Sequence, residues 1–474
     1  MISRRITTLT PLALALALTG CSIGPDYLRP QSWLPSLFAE APTATAQTDA
    51  SAAAVDSRWW ALFKDETLSA LIEAAHKENA NLRLAVSRVE QADAAARESG
   101  ASLFPTINGA ANGSNTGLSE KTATWSANSP GVLRSRSAGF SLSYELDVWG
   151  RVRRANEAAR ANLLASRYGR DSVRLSVAGL VASNYLNLRA LDAQLAITAD
   201  SLKSRSESTR LTKVRVDAGL TSPLDQYQAD GALAALKSQE AELRQARALA
   251  EHQLALLTGN PALKIAPGDL RQLPLPPMPP AGLPADLIEA RPDIRQAEQT
   301  LIAANANIGV AKAAYYPKFS LTGALGSESK TLSDLFSAGA GTWSLGLGLL
   351  MPIFDAGRTA AQVDQARSLN EQSLINWQYS LQVAYKEVRD ALVKLRENEA
   401  AELAQTERAN AAGKALSVAQ KRYEAGYAGY LDVLDAQRSS NDAQLAAIAS
   451  RQARLSAAVE LFKALGGGWQ PDAS

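Results

Sequence analysis

The chain has 474 residues, 46% hydrophobic and 20% charged, with a formal net charge of +2. This is ample for a large core, and a near-neutral balance without basic blocks argues against a nucleic-acid partner. Two histidines (His76 and His252) and one cysteine leave no histidine metal site or His-based triad, and no Gly-rich phosphate loop is present, so the chain does not read as an enzyme and needs no cofactor.

Residues 1–20 combine a basic "MISRR" with the apolar "ITTLTPLALALALTG", too short for a spanning helix, and read as a secretory signal peptide. Leu18-Thr19-Gly20-Cys21 resembles the bacterial lipobox, which marks Cys21 for lipidation at the head of an N-terminal segment, 21–57. Its "APTATAQTDASAAAVDS" reads as flexible. No later stretch offers about twenty apolar residues, so any membrane crossing requires a closed β-barrel.

The remainder is one unit written twice, 58–262 and 286–469, with a Pro-rich linker at 263–285 ("LPLPPMPPAGLP" within it) and a tail at 470–474. "ASLFPTINGAANGS" answers "AAYYPKFSLTGALGS", and "YELDVWGRVRRANEAARA" answers "LLMPIFDAGRTAAQVDQARS". In each unit the pattern predicts a lead-in helix (from Asn79 and from Arg291), two strands, a very long helix, a glycine turn and a shorter returning helix.

The strands alternate. Phe140, Leu142, Tyr144, Leu146 and Val148 share one face against Ser141, Ser143, Glu145 and Asp147, and Trp343, Leu345, Leu347 and Leu349 repeat the scheme. Alternation alone also fits a half-buried sheet in a soluble domain. The lipoprotein signal and the aromatic ends at Phe140, Trp149 and Trp343 favour a membrane. From Arg151 to Ala218 and from Arg358 to Ala425 there is no proline, which allows helices on the order of 100 Å. Leu374, Trp377, Leu381, Ala384, Val388, Ala391 and Leu395 keep heptad spacing, as do Val177, Val181, Asn184, Leu188, Leu191 and Leu195.

Gly219 and Gly426 are predicted to end the long helices in the left-handed conformation, and Pro223 to restart the first returning helix. Two helical hairpin tips result. Asp225, Asp432 and Asp435 lie just beyond them. One acid per helix start is explained by the macrodipole; Asp432 and Asp435, one turn apart, would also form rings of charge if copies assemble about an axis. Four strands per chain cannot close a barrel, so a membrane reading requires several chains to share one.

At this point the sequence resembles the TolC/OprM-like outer-membrane efflux proteins, in their NodT-type lipoprotein branch. The resemblance covers nearly the whole mature chain. It rests on "CSIGPDYLRP", "WWALFKDETLSALIEAAHKENANLRLA", "ELDVWGRVRR", "LPADLIEARPDIRQAEQTLIAANANIGVAKAAYYPKFSLTG", "MPIFDAGR" and "RYEAGYAGYLDVLDAQ". It implies an α+β membrane protein and a homotrimer. A twelve-stranded barrel, four strands per chain, would sit in the outer membrane of a Gram-negative bacterium, continued by a periplasmic α-helical tunnel.

The implied role is the exit duct of a tripartite efflux system, anchored to lipid through acylated Cys21 and passing small molecules from an inner-membrane RND-type pump and a periplasmic adaptor. A type I protein-secretion channel shares this fold. A soluble periplasmic coiled-coil adaptor would leave the duplicated strand pairs unexplained. By position, the resemblance assigns Asp432 and Asp435 to the tunnel constriction, and Asp225 and Tyr423 to a closing network. TolC-type members carry an arginine where this chain has Ala428, so that salt-bridge latch cannot form, and Leu431 or Tyr430 would close the pore by an apolar ring. Gly219, Leu220, Gly426 and Tyr427 would form the turns that meet the adaptor.

Overall fold

The structure is a computed structural model that describes residues 22–31, 58–123, 125–126, 130–277, 288 and 291–468; Cys21, the signal segment and the tail lie outside the described residues. The chain divides into two compact units. One comprises 1–31, 89–166 and 297–377, the other 32–88, 167–296 and 378–474.

The elements in order are α1 (Glu66–Glu78), α2 (Ala80–Ala101), β1 (Thr106–Gly117), β2 (Val132–Leu146), α3 (Arg151–Asp217) and α4 (Pro223–Leu257). The second repeat gives α5 (Pro292–Ala313), β3 (Lys318–Ser329), β4 (Gly341–Leu350), α6 (Arg358–Glu424) and α7 (Tyr430–Ala464). The duplication is metric as well as sequential. α2 and α5 each have 22 residues, α3 and α6 each 67, and α4 and α7 each 35.

The sequence pattern missed α1, which precedes the expected lead-in helix. Its signals are local: Asp65 accepts the Leu68 N–H at 2.8 Å as N-cap. Asn79 then closes α1 and opens α2, its side-chain oxygen taking the N–H groups of Asn81 and Leu82 while its amide donates to the Leu257 carbonyl at 2.8 Å.

The long helices start where acids cap them. Asp147 accepts the N–H groups of Val152 and Arg153, both at 2.9 Å, and Asp355 accepts those of Gly357 at 3.0 Å and Thr359 at 2.9 Å. Gly150 and Gly357 take the left-handed conformation just before each start. This is the physical content of the paired "ELDVWGR" and "MPIFDAGR".

In the first unit, all four strands form one antiparallel sheet in the order β1-β2-β3-β4. Register places Phe140, Leu325 and Trp343 in one row, and Leu146, Phe319 and Leu349 in another. One face therefore carries Phe140, Leu142, Tyr144, Leu321, Leu345 and Leu347, with Phe140, Leu345 and Leu347 exposed in the single chain. The opposite face, between its ends, holds only Ser, Thr, Asn, Gly and Ala, such as Asn108, Ser141, Thr322 and Ser344. Val148, expected in the alternation, falls beyond the end of β2 at Leu146.

Also in this unit, residues 22–31 are seated on the start of α3 and along α5. Ile23 donates to the Trp149 carbonyl at 3.0 Å, Asn305 to the Pro25 carbonyl at 2.9 Å, and Arg154 pairs with Asp26. Tyr27 and Arg29 both reach Glu298, at 3.4 and 3.0 Å.

The second unit holds the main core. Trp59, Phe63, Leu68, Ile72, Val181, Tyr185, Leu188, Leu254 and Phe462 are buried in one cluster, with Trp59 stacked on Phe462 at 5.7 Å. The expected stripe on α6 is buried from Trp377 to Leu395. On α3, Asn184 and Leu195 are only half-buried, because the straight-helix period of 3.6 carries the contact face away from a strict heptad. Part of the Pro-rich linker is more than a tether. Ile265, Leu270 and Leu273 are buried, and buried Asp192 gathers Arg189, Arg247 and the Gly268 N–H around it.

Candidate functional site

The two hairpin tips, in the second unit, are built alike. At Gly219 (φ +74°) the N–H bonds the Val216 carbonyl at 2.9 Å and Leu220 bonds that of Arg215 at 2.8 Å. At Gly426 (φ +79°) the same pair joins Tyr423 at 3.1 Å and, through Tyr427, Arg422 at 2.8 Å. Both are Schellman closures, which glycine permits without a Cβ penalty. Leu220 and Tyr427 are exposed at the turns.

The restarts differ. Ser222 caps α4, accepting the Leu224 N–H at 3.2 Å with Pro223 as the first helical residue, and half-buried Asp225 takes a hydrogen bond from the Thr221 hydroxyl. Gly429 offers no side-chain cap, so Asp432 reaches back to its N–H at 3.1 Å. Asp435 pairs with Arg438 at 3.2 Å on the exposed surface. Asp225 and Asp432 thus do the helix-start work the dipole favours, and Asp435 lies one exposed turn further on.

Two aromatics join the tips inside one chain. The Arg215 guanidinium lies 4.6 Å from the Tyr423 ring centroid, and Tyr423 meets Tyr430 at 5.8 Å. Tyr430 is 3% exposed, and burial pushes its hydroxyl pKa up; burial likewise pushes the pKa of nearby Arg205 down. Of the two residues considered for an apolar ring, Leu431 is 56% exposed, whereas Tyr430 packs inside the chain. Tyr430 is thus held within its own chain beside Tyr423, while Leu431 faces outward.

In the first unit the sheet ends in two unpaired edges, β1 and β4. Its helix-bearing end carries Trp149, packed on Tyr316 at 4.9 Å and donating to the Pro317 carbonyl at 2.9 Å. There Glu145 receives Arg151 at 2.7 Å and Lys318 at 2.8 Å. Sequence reasoning found the aromatic ends but not the two acid caps, the Arg215–Tyr423 contact, or Arg134 and Arg136 at the opposite end. The tip contact joins residues two hundred positions apart and leaves no local signal. The arginines were legible as charges in an alternating strand.

Among the described residues no helix is long and apolar enough to cross a membrane and no group of acids, histidines and cysteines is placed to hold a metal. A sheet with one apolar and one polar face, two open edges and very long helices defines a barrel-forming channel subunit rather than a catalytic site. The family profile described as "Outer membrane efflux protein" matches residues 71–260 and 283–467, and the chain belongs to that family. It is an outer-membrane efflux channel protein, not an enzyme.

The chain is similar to the cation efflux system protein CusC of Escherichia coli O6:H1, 35% identical over 98% of this chain and 99% of the relative. It is 34% identical to the probable efflux pump outer membrane protein TtgC of Pseudomonas putida, over 96% of this chain and 94% of the relative. In structure it resembles the Campylobacter jejuni CmeC outer membrane channel, with a TM-score of 0.88 at 26% identity, over 96% of both chains.

Proposed function

We propose that three copies of this chain share one twelve-stranded barrel in the outer membrane, continued by a helical tunnel through the periplasm. The assembly is the exit duct of a tripartite efflux system, fed by a periplasmic adaptor and an RND-type inner-membrane pump. The carrying observation is the four-stranded sheet: four strands cannot close, three sets of four can, and both edges stand free to pair with a neighbour's. Its apolar face meets lipid and its Ser/Thr/Asn face lines the lumen.

Cys21 bears the acyl chains. Ser22 supports this, since it packs against Gly150 where β2 hands over to α3, at the foot of the sheet. The turns at Gly219, Leu220, Gly426 and Tyr427 dock the adaptor. Asp432 and Asp435 form rings of carboxylates at the constriction, Leu431 forms an apolar ring beside them, and Asp225 and Tyr423 hold the tips together. Small molecules pass without being ligated. With three methionines, two histidines and one cysteine in the chain, soft cations would find few ligands on the way out.

The native mass of the membrane-extracted protein, corrected for detergent, tests the assembly: about three chain masses is expected, and a stable monomer refutes the shared barrel. The charge rings have their own test. Asp432→Asn with Asp435→Asn should lower cation-over-anion selectivity in planar bilayers, and unchanged reversal potentials would remove the rings from the reading.

A further inference from the structure

We infer that Arg134 and Arg136 form a docking site for the phosphate groups of an outer-leaflet glycolipid. This rests on the membrane reading above and adds to it a lipid ligand on the outer rim of the barrel. β2 begins at Val132, and loop 118–131 joins it to β1 at the end of the sheet away from the helices. On the lipid-side face there, Arg134 stands opposite Asn115, and Arg136 opposite Gly113.

The Gly113 position leaves a gap, and Arg136 fills it. Its Cδ lies 3.4 Å from where a Gly113 Cβ would stand. One guanidinium nitrogen donates to the carbonyls of Ser114 at 2.9 Å and Ser135 at 2.8 Å, and the other to the Asn115 side-chain oxygen at 3.0 Å. All of these acceptors are neutral, so the fork is oriented without losing its charge. Arg134 is exposed beside it, and among the described residues neither arginine is ion-paired. The nearby carboxylate of Glu328 belongs to the opposite face, where it accepts the Ser135 hydroxyl at 2.8 Å.

Depth selects the ligand. On this face the row Phe140–Leu325–Trp343 is the last to carry large apolar side chains before the arginines. Arg136 lies four residues beyond it on the same face, roughly 13 Å along the strand. With a strand tilt of about 40°, that is roughly 10 Å along the membrane normal, in the headgroup layer. Cations facing lipid at that height meet phosphate, and a planar guanidinium binds it in a bidentate fashion. Because the side chains face away from the lumen, the ligand is the outer-leaflet lipid rather than an exported anion.

The test uses the full mature protein in detergent, stripped of native lipid, with native mass spectrometry as readout. The probes are bisphosphorylated lipid A, its dephosphorylated counterpart and excess inorganic phosphate as competitor. The wild type should bind the bisphosphorylated form at least about tenfold more tightly than the dephosphorylated one. The double variant Arg134→Gln/Arg136→Gln should lose about tenfold or more of that affinity, roughly 1.4 kcal/mol, because both charged donors are removed. Inorganic phosphate should not displace the lipid.

Equal binding by variant and wild type, equal binding of the dephosphorylated form, or displacement by free phosphate would each overturn the inference. Single-channel conductance on the same preparations reads the channel function separately. Conductance with unchanged lipid binding sinks only the lipid site, whereas absent conductance sinks the channel reading itself. The variant's native mass and conductance, matching the wild type, show that it folds.

Discussion

Gly309 offers a sharp perturbation, because one added methyl group should move two parts of the chain in opposite directions. It lies inside α5, under residues 22–31. A Cβ there would stand 2.7 Å from the Ile23 carbonyl oxygen and 2.9 Å from the Arg154 Cγ, while one on Gly24 would stand 2.5 Å from the Gly309 Cα. In Gly309→Ala the Ile23 carbonyl must retreat by roughly 0.7 Å to reach ordinary contact. Overpacking of this kind costs about 1–3 kcal/mol. Alanine in place of glycine in a helix interior returns about 1 kcal/mol to α5. The segment should loosen while the helix does not. Hydrogen exchange separates the two. The Ile23 N–H, bonded to Trp149 at 3.0 Å, should exchange about 5- to 100-fold faster in the variant, with the global unfolding transition changed by no more than about 1 kcal/mol. If Ile23 stays as protected as in the wild type, the tight seat for residues 22–31 is wrong.

Gly426→Ala meets open space, so only the left-handed backbone (φ +79°) opposes it; a loss of about 1–2 kcal/mol in chemical denaturation is expected, and a larger one would reveal a contact at the tip that the structure lacks. Asp192→Asn takes the carboxylate from buried Arg189, leaves Arg247 paired with Glu251, and puts an amide donor where an oxygen accepted; a loss of about 3–5 kcal/mol should appear in the unfolding midpoint, and a change under 1 kcal/mol would contradict the network. His76 lies edge-on to Trp60 beside Arg174, and burial first, then that cation, lowers its pKa to about 4. The unfolded chain binds this proton first, so the contribution is full above pH 6.5 and is lost as pH falls toward 4. Discounted for partial exposure, it amounts to about 1–2 kcal/mol, and His76→Gln should flatten that part of the stability–pH curve.

The parts of this fold that repeat were legible because they obey short-range rules. Gly219 and Gly426 need a left-handed turn, proline-free runs allow long helices, and Leu142 and Leu345 alternate with Ser and Gly. Where tertiary contact decides, the pattern was silent. Nothing local distinguishes exposed Leu431 from buried Tyr430, since the difference is made by packing against residues near Arg205, more than two hundred positions away. The linker at 263–277 reads as a tether by composition, yet Arg189, Arg247 and Arg451 hydrogen-bond its carbonyls. Backbone acceptors carry no sequence signal, so that strapping is visible only in three dimensions.

The character of the helix contacts also changes within the second unit, and this bears on how a tip could move. Around Val181, Tyr185, Leu188 and Phe462 the contacts are apolar and closely filled. Around the tips polar residues are buried among the apolar ones: Thr209, Thr212, Gln437, Ser440 and Asn441 lie beside Ala229, Tyr430, Val433 and Ala443, and both the Thr209 hydroxyl and the Gln437 carbonyl are buried without a protein partner in the structure. Displacing an apolar contact exposes surface at about 25 cal/mol per Å², whereas displacing a half-satisfied polar layer lets water complete its hydrogen bonds. Opening is therefore cheapest at the tips. On the function proposed above, the Arg215–Tyr423–Tyr430 stack, a contact of about 0.5–2 kcal/mol, would resist it there, and a docking partner of ordinary affinity would outweigh it. A closely filled core beneath a lightly held tip would suit the passively opened duct proposed above.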